Sequence, residues 1–170
     1  MDRIAWKEQI KLAATRGPVL LVGIGLPGSG KTTILKPLAV ELDAVYVNRD
    51  DIREEVTGDA SNHSMEREVT AIANGRVAQG LKQGNHVIVD ATHNSTRSRK
   101  EIIRFARRHG SSMIIGLYVN VDIDTSLQQN SKRVRVVPEE VVQQMHARLR
   151  ESQPHTEEGF DILLTTNPAP

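Results

Sequence analysis

Eight consecutive residues, Gly25-Leu26-Pro27-Gly28-Ser29-Gly30-Lys31-Thr32, match the spacing G-x-x-x-x-G-K-[ST] at every fixed position. Glycines let a backbone turn tightly and approach phosphate oxygens without a Cβ in the way. The amide N–H groups of such a turn point inward as an anion nest. A helix starting at Lys31 would aim its positive end at the same phosphates. Lys31 can reach the β- and γ-phosphates of a nucleoside triphosphate, and Thr32 offers a hydroxyl to magnesium. A bland glycine turn would not explain a lysine and a threonine at the helix start. Gly25, Pro27, Gly28, Ser29, Gly30, Lys31, Thr32 and Thr33 are therefore the candidate nucleotide-binding residues.

Two further carboxylate positions could serve phosphoryl transfer, which needs alignment, charge neutralisation and a base near the attacking hydroxyl. Asp90 follows the apolar run Val87-Ile88-Val89, a place where a carboxylate can hold magnesium with Thr32, directly or through water. It could also simply cap the loop that follows. Asp50 lies in Asn48-Arg49-Asp50-Asp51-Ile52-Arg53. It could accept the proton of an acceptor hydroxyl, while Arg53, on the same face of a short helix, binds an acceptor phosphate. The bland alternative makes Asp50 or Asp51 an N-cap and Arg53 a surface ion pair. No N-K-x-D segment occurs, which argues against a guanine-specific switch.

The elements around these residues alternate. Val19–Ile24, 44–48, 86–90, Met113–Val119 and 162–165 read as strands, and the stretches between them carry helical periodicity. Helices are expected at 1–17, 31–42, 65–81, after Ser95 or Thr96, near 122–130 and after Pro138. The fold class expected is α/β, a mainly parallel sheet of about five strands flanked by helices. Aromatics make up 3% of the 170 residues, so Val, Ile, Leu and Ala must build the core. The chain is expected to form one domain, with a basic lid region at about 122–150 and a loose tail at 167–170.

There is no cysteine, which removes disulfides, thiol catalysis and thiolate metal sites. No apolar run approaches the roughly 20 residues of a membrane span, and the charged N-terminus does not read as a signal peptide. The expectation is a soluble, cytoplasmic protein without a membrane partner. Net charge is +1, but six cations fall between Arg97 and Arg108 against Glu101 alone. Such a strip can attract phosphate or be a solvated helix face. On the first reading Arg97 and Arg99 are candidate acceptor-binding residues.

Taken in order, the phosphate loop, Asn48 to Arg53, the turn Asp90-Ala91-Thr92-His93-Asn94, and Asn130-Ser131-Lys132-Arg133 followed by Pro138-Glu139-Glu140-Val141 resemble the 5′-kinase domain of bacteriophage-type polynucleotide kinases. The resemblance runs from about Val19 to Leu149. It implies transfer of the γ-phosphate of ATP, with magnesium or another divalent cation, to 5′-hydroxyl ends of RNA or DNA, as in RNA or DNA repair. It makes Asp50 the general base and Arg53 a contact to the phosphate beside the attacked nucleotide. Thr92 then lines the acceptor pocket, and Arg133 is the lid arginine that reaches donor phosphates. No D-x-D-G-T phosphatase segment occurs, so a kinase-only protein is expected. The alternatives are a small-molecule kinase acting on a sugar or nucleoside, and a non-catalytic nucleotide-dependent nucleic-acid binding module. Neither RNA-versus-DNA preference nor oligomeric state is readable.

Overall fold

The computed structural model describes residues 5–167. The remaining seven, which include the start of the expected first helix and most of the expected tail, lie outside the described residues. Strands β1 (Val19–Ile24), β2 (Val45–Asn48), β3 (Val87–Asp90), β4 (Met113–Val119) and β5 (Ile162–Thr166) form one sheet in the order β2-β3-β1-β4-β5. Every neighbouring pair is parallel. This is a five-stranded parallel sheet flanked by helices, as the alternation of elements predicts.

The helices are α1 (Ala5–Ala14), α2 (Lys31–Glu41), α3 (Arg49–Thr57), α4 (Glu66–Lys82), α5 (Thr96–Arg108), α6 (Ile123–Ser131) and α7 (Glu139–Glu151). Short 3-10 turns at His63–Met65 and Thr156–Glu158 complete the elements. β1 is buried along its whole length because helices cover both sheet faces. Side chains alternate between the faces with period two. Leu20, Val22 and Ile24 pack with Val69, Val77, Leu81, Ile103 and Leu149 of α4, α5 and α7. Val19 and Leu21 pack with Trp6, Ile10, Leu35 and Leu38 of α1 and α2.

Strand order places the site. From β1 the chain crosses to β2 on one side, and from β3 it crosses over β1 to reach β4 on the other. Ligands of such sheets bind beyond the carboxyl ends of the strands, at this reversal. There the phosphate loop leaves β1, and register pairs Asn48 at the end of β2 with Asp90 at the end of β3.

Candidate active site

The phosphate loop bridges β1 and α2. Gly25, Gly28 and Gly30 all take positive φ. A side chain at Gly28 would run into the α6 backbone at Ser126, so the loop is pressed directly against α6. Lys31 is buried, and its Nζ donates to Gly25 O at 2.8 Å, Leu26 O at 2.7 Å and Ser29 Oγ at 3.3 Å. Burial lowers its pKa to about 8, against the opposing pull of Asp90. A buried ammonium held only by neutral acceptors is a cation that gains from an arriving phosphate.

The loop is buttressed from behind. Gly25 N donates to Thr92 O at 3.1 Å. His93, at φ 42, bonds Gly23 O through Nδ1 at 2.8 Å. Gly23 O can only accept, so the proton sits on Nδ1. Burial lowers the His93 pKa to about 4, which keeps the ring neutral.

Asp90 gathers three donors on one oxygen. Its Oδ2 accepts from Thr32 Oγ1 at 2.6 Å, Tyr46 Oη at 2.6 Å and Asn48 Nδ2 at 3.2 Å. Burial and the adjacent Asp90 charge raise the Tyr46 pKa, so its hydroxyl stays a donor. Asp90 thus faces the phosphate loop and does not merely cap a turn. Among the described residues no group of three or more His, Cys, Asp or Glu could hold a metal ion. Thr32 and Asp90 nevertheless fit magnesium, a hard cation usually bound by one or two protein oxygens, substrate phosphates and water.

Asn48 decides between the two readings of Asp50. Its Oδ1 accepts from Asp50 N at 2.8 Å and Asp51 N at 3.2 Å, so Asn48 is the N-cap of α3. The Asp50 carboxylate is left for other partners. Oδ1 meets Arg53 Nη1 at 2.6 Å and Arg135 Nη1, from the segment between α6 and α7, at 2.6 Å. Burial pushes the Asp50 pKa up, but hydrogen bonds from Arg135 and Arg53 outweigh it and the net shift is downward. Asp50 is therefore ionised at neutral pH.

Arg53 is buried, which overturns the surface-ion-pair alternative. Its Nε bonds Glu66 Oε1 at 2.6 Å, and Glu66 Oε2 takes Arg49 Nη2 at 2.7 Å. The hydrogen bond from Arg53 is the largest cause holding the Glu66 pKa at about 2. His63 closes the group, with Nδ1 on Glu66 Oε1 at 3.0 Å and Nε2 within 3.5 Å of Arg135.

A cleft of about 920 Å³ collects most of the expected site residues: Pro27, Gly28, Gly30, Lys31, Thr32, Thr33, Asp50, Arg53, Asp90, Thr92 and Arg133. Gly25 and Ser29 lie behind its wall and hold Lys31. The sequence reading names Arg133, whereas the arginine after α6 that meets Asp50 is Arg135. Tyr46, Glu66 and His63 were missed. Tyr46 and Asn48 do share a β2 face, but their target on β3 depends on strand pairing.

Arg99 requires a correction. It is fully buried, paired with Glu158 at 2.6 Å, and donates to His93 O at 2.9 Å and Ser152 O at 2.7 Å. Its guanidinium ties the turn behind the phosphate loop to the segment after α7, so it cannot meet an acceptor. Arg97 does not line the cleft; it is exposed and paired with Glu101 at 2.9 Å. Arg107 pairs with Asp161. The cationic strip is thus partly structural and supplies no argument for a polyanion in the cleft.

Residues 20–152 match the AAA domain family. The chain belongs to the AAA domain family. Among solved structures, this AAA domain is similar to a chain of the Pnkp1/Rnl/Hen1 RNA repair complex, with 27% identity and TM-score 0.72, over 85% of this chain and 47% of that one. A second structure of a Pnkp1/Rnl/Hen1 complex matches at 31% identity and TM-score 0.60, over 72% of this chain and 40% of that one. The AAA domain here thus spans less than half the length of those relatives. A shikimate kinase from Bacteroides thetaiotaomicron matches at 18% identity and TM-score 0.57, over 86% of each chain, a likeness of fold alone. No helix among the described residues is long and apolar enough to cross a membrane.

Proposed function

We propose that this chain transfers the γ-phosphate of ATP to the 5′-hydroxyl end of RNA or DNA. The observation that carries the reading is Asp50: an ionised carboxylate, relieved of capping by Asn48, in the same cleft as Lys31. The order of the four segments and the similarity to chains of an RNA repair complex favour a polynucleotide acceptor over a small alcohol.

The residues divide the work as follows. The loop amides and Lys31 bind the β- and γ-phosphates, and Arg133 reaches them from the lid. Thr32 and Asp90 hold a divalent cation, which when bound neutralises charge on the phosphoryl oxygens. Thr92 and Arg53 seat the acceptor, with Arg53 on the phosphate next to the attacked nucleotide. The hydroxyl proton passes to Asp50, the hydroxyl oxygen bonds to the γ-phosphorus, and the bond to the β-γ bridging oxygen breaks, releasing ADP. Arg53 and Arg135 both meet Oδ1 of Asp50, and Oδ2 is the oxygen left to take that proton.

The test is transfer from γ-labelled ATP to matched RNA and DNA oligonucleotides with 5′-hydroxyl ends, beside the same oligonucleotides already 5′-phosphorylated. Label on the 5′-hydroxyl substrates alone supports the reading. Label only on a small alcohol such as a sugar or nucleoside would replace it with a small-molecule kinase. Nucleotide-dependent oligonucleotide binding without transfer would replace it with a binding module.

A further inference from the structure

We infer that Tyr46 is a positioning residue for the divalent cation: its hydroxyl, with the Asn48 amide, occupies Oδ2 of Asp90 and leaves Oδ1 as the oxygen offered to the cation or its water. The inference rests on the proposed use of the cleft for a nucleotide with a divalent cation.

Oδ2 is crowded. A carboxylate oxygen has two lone-pair sites, and here three donors converge on it, from Thr32 and Tyr46 at 2.6 Å and Asn48 at 3.2 Å. Among the described residues no hydrogen-bond donor reaches Oδ1. Two oxygens of one carboxylate therefore have different duties, one fixed by protein donors and the other open. Partners that orient a ligating carboxylate govern metal affinity almost as strongly as the ligand itself.

Placement on β2 explains why Tyr46 can do this. Residues two apart on a strand share a face, and register sets Asn48 beside Asp90. Tyr46 is one position further back on that face, and its longer side chain spans the added distance. Asn48 Nδ2 also approaches Tyr46 Oη at 3.4 Å. The same Asn48 caps α3 through Oδ1, so one amide joins the Asp90 carboxylate to the helix that carries Asp50. Tyr46 steadies that junction from the side away from α3.

Tyr46→Phe removes the hydroxyl and keeps the ring. One hydrogen bond is a small part of a domain's stability, so the variant remains folded, as a melting curve would verify. The measurement is Mn²⁺ affinity of the protein–ADP complex, read from the electron paramagnetic resonance signal of free Mn²⁺. The expected result is a loss of about 10-fold or more in Mn²⁺ affinity, the scale of other outer partners of metal ligands. ADP affinity in the presence of a chelator should not change. In an Asp90→Ala background the same substitution should add no further loss, because Tyr46 acts through Asp90. Unchanged Mn²⁺ affinity in Tyr46→Phe would overturn the inference. So would a full additional loss in the Asp90→Ala background, or no Mn²⁺ binding by the unaltered complex. The readout needs no acceptor, so failure of transfer to an oligonucleotide would sink the proposed acceptor and leave this result standing.

Discussion

The half of the cleft around Lys31, the proposed donor half, is held mainly by backbone, and the half around Asp50, the proposed acceptor half, mainly by ionised side chains. Around Lys31 the partners are loop carbonyls and a serine hydroxyl close in sequence; behind the loop Gly25 N donates to Thr92 O, and the His93 ring donates to Gly23 O. Around Asp50 the partners are Arg53, Arg135 and, one step away, Glu66 with Arg49 and His63. A backbone cradle accepts many phosphate compounds and persists when empty. A charge cluster depends on every member. On the proposed function, the first half binds the phosphate donor and the second discriminates the acceptor.

The two halves should fail differently. Lys31→Ala should give the largest effect, a loss of about 10³-fold in turnover, with the fold intact because the nest remains. Near-wild-type transfer would remove the donor half from the chemistry. Arg99→Met should act on stability, by about 3–5 kcal/mol in denaturant unfolding, because Glu158 is left buried and unpaired. Arg97→Ala, by contrast, should stay within about 0.5 kcal/mol and leave the acceptor KM unchanged.

The buttress behind the phosphate loop also predicts a pH effect. Unfolded His93 takes up a proton near pH 6.5, whereas in the fold burial lowers its pKa to about 4. Between these values the unfolded chain binds the proton that the folded chain refuses, so stability falls as pH drops through that window. The loss should reach about 2–3 kcal/mol by pH 4. His93→Asn tolerates the positive φ and should flatten the dependence in urea titrations. A smaller effect is expected from Glu66→Gln, since Glu66 is about a third exposed. Loosening Arg53 should raise the acceptor KM by about 10-fold, or roughly 1.4 kcal/mol, and leave ATP affinity alone. Equal losses for donor and acceptor would erase the distinction between the halves.

The same contrast explains what could be read in the residues. The phosphate loop is contiguous, so its glycine turn and the placing of Lys31 and Thr32 at the start of α2 were legible by spacing. The sheet was legible because buried parallel strands leave continuous apolar runs such as Val19–Ile24. Glu66 was not legible, because it reaches Arg53 from another helix, through a 3-10 turn that no local pattern marks. Arg99 was misread for a related reason. Its neighbours in sequence are cations, but its partner Glu158 lies 59 residues away. Asp50 could not be separated from a capping residue until Asn48 was seen to take that role.

On the proposed function Asp50 is a base and not a structural carboxylate. Asp50→Asn keeps shape and polarity and removes the proton acceptor, while Asn48 still caps α3. The direct measurement is single-turnover transfer from γ-labelled ATP to a 5′-hydroxyl oligonucleotide by the unaltered protein and by Asp50→Asn, with ATP affinity measured in parallel. The account predicts a fall in rate of about 10²–10⁴-fold with ATP affinity unchanged. Retention of more than about a tenth of the rate would contradict it, and the base would then have to be sought at Asp51 or Asp90.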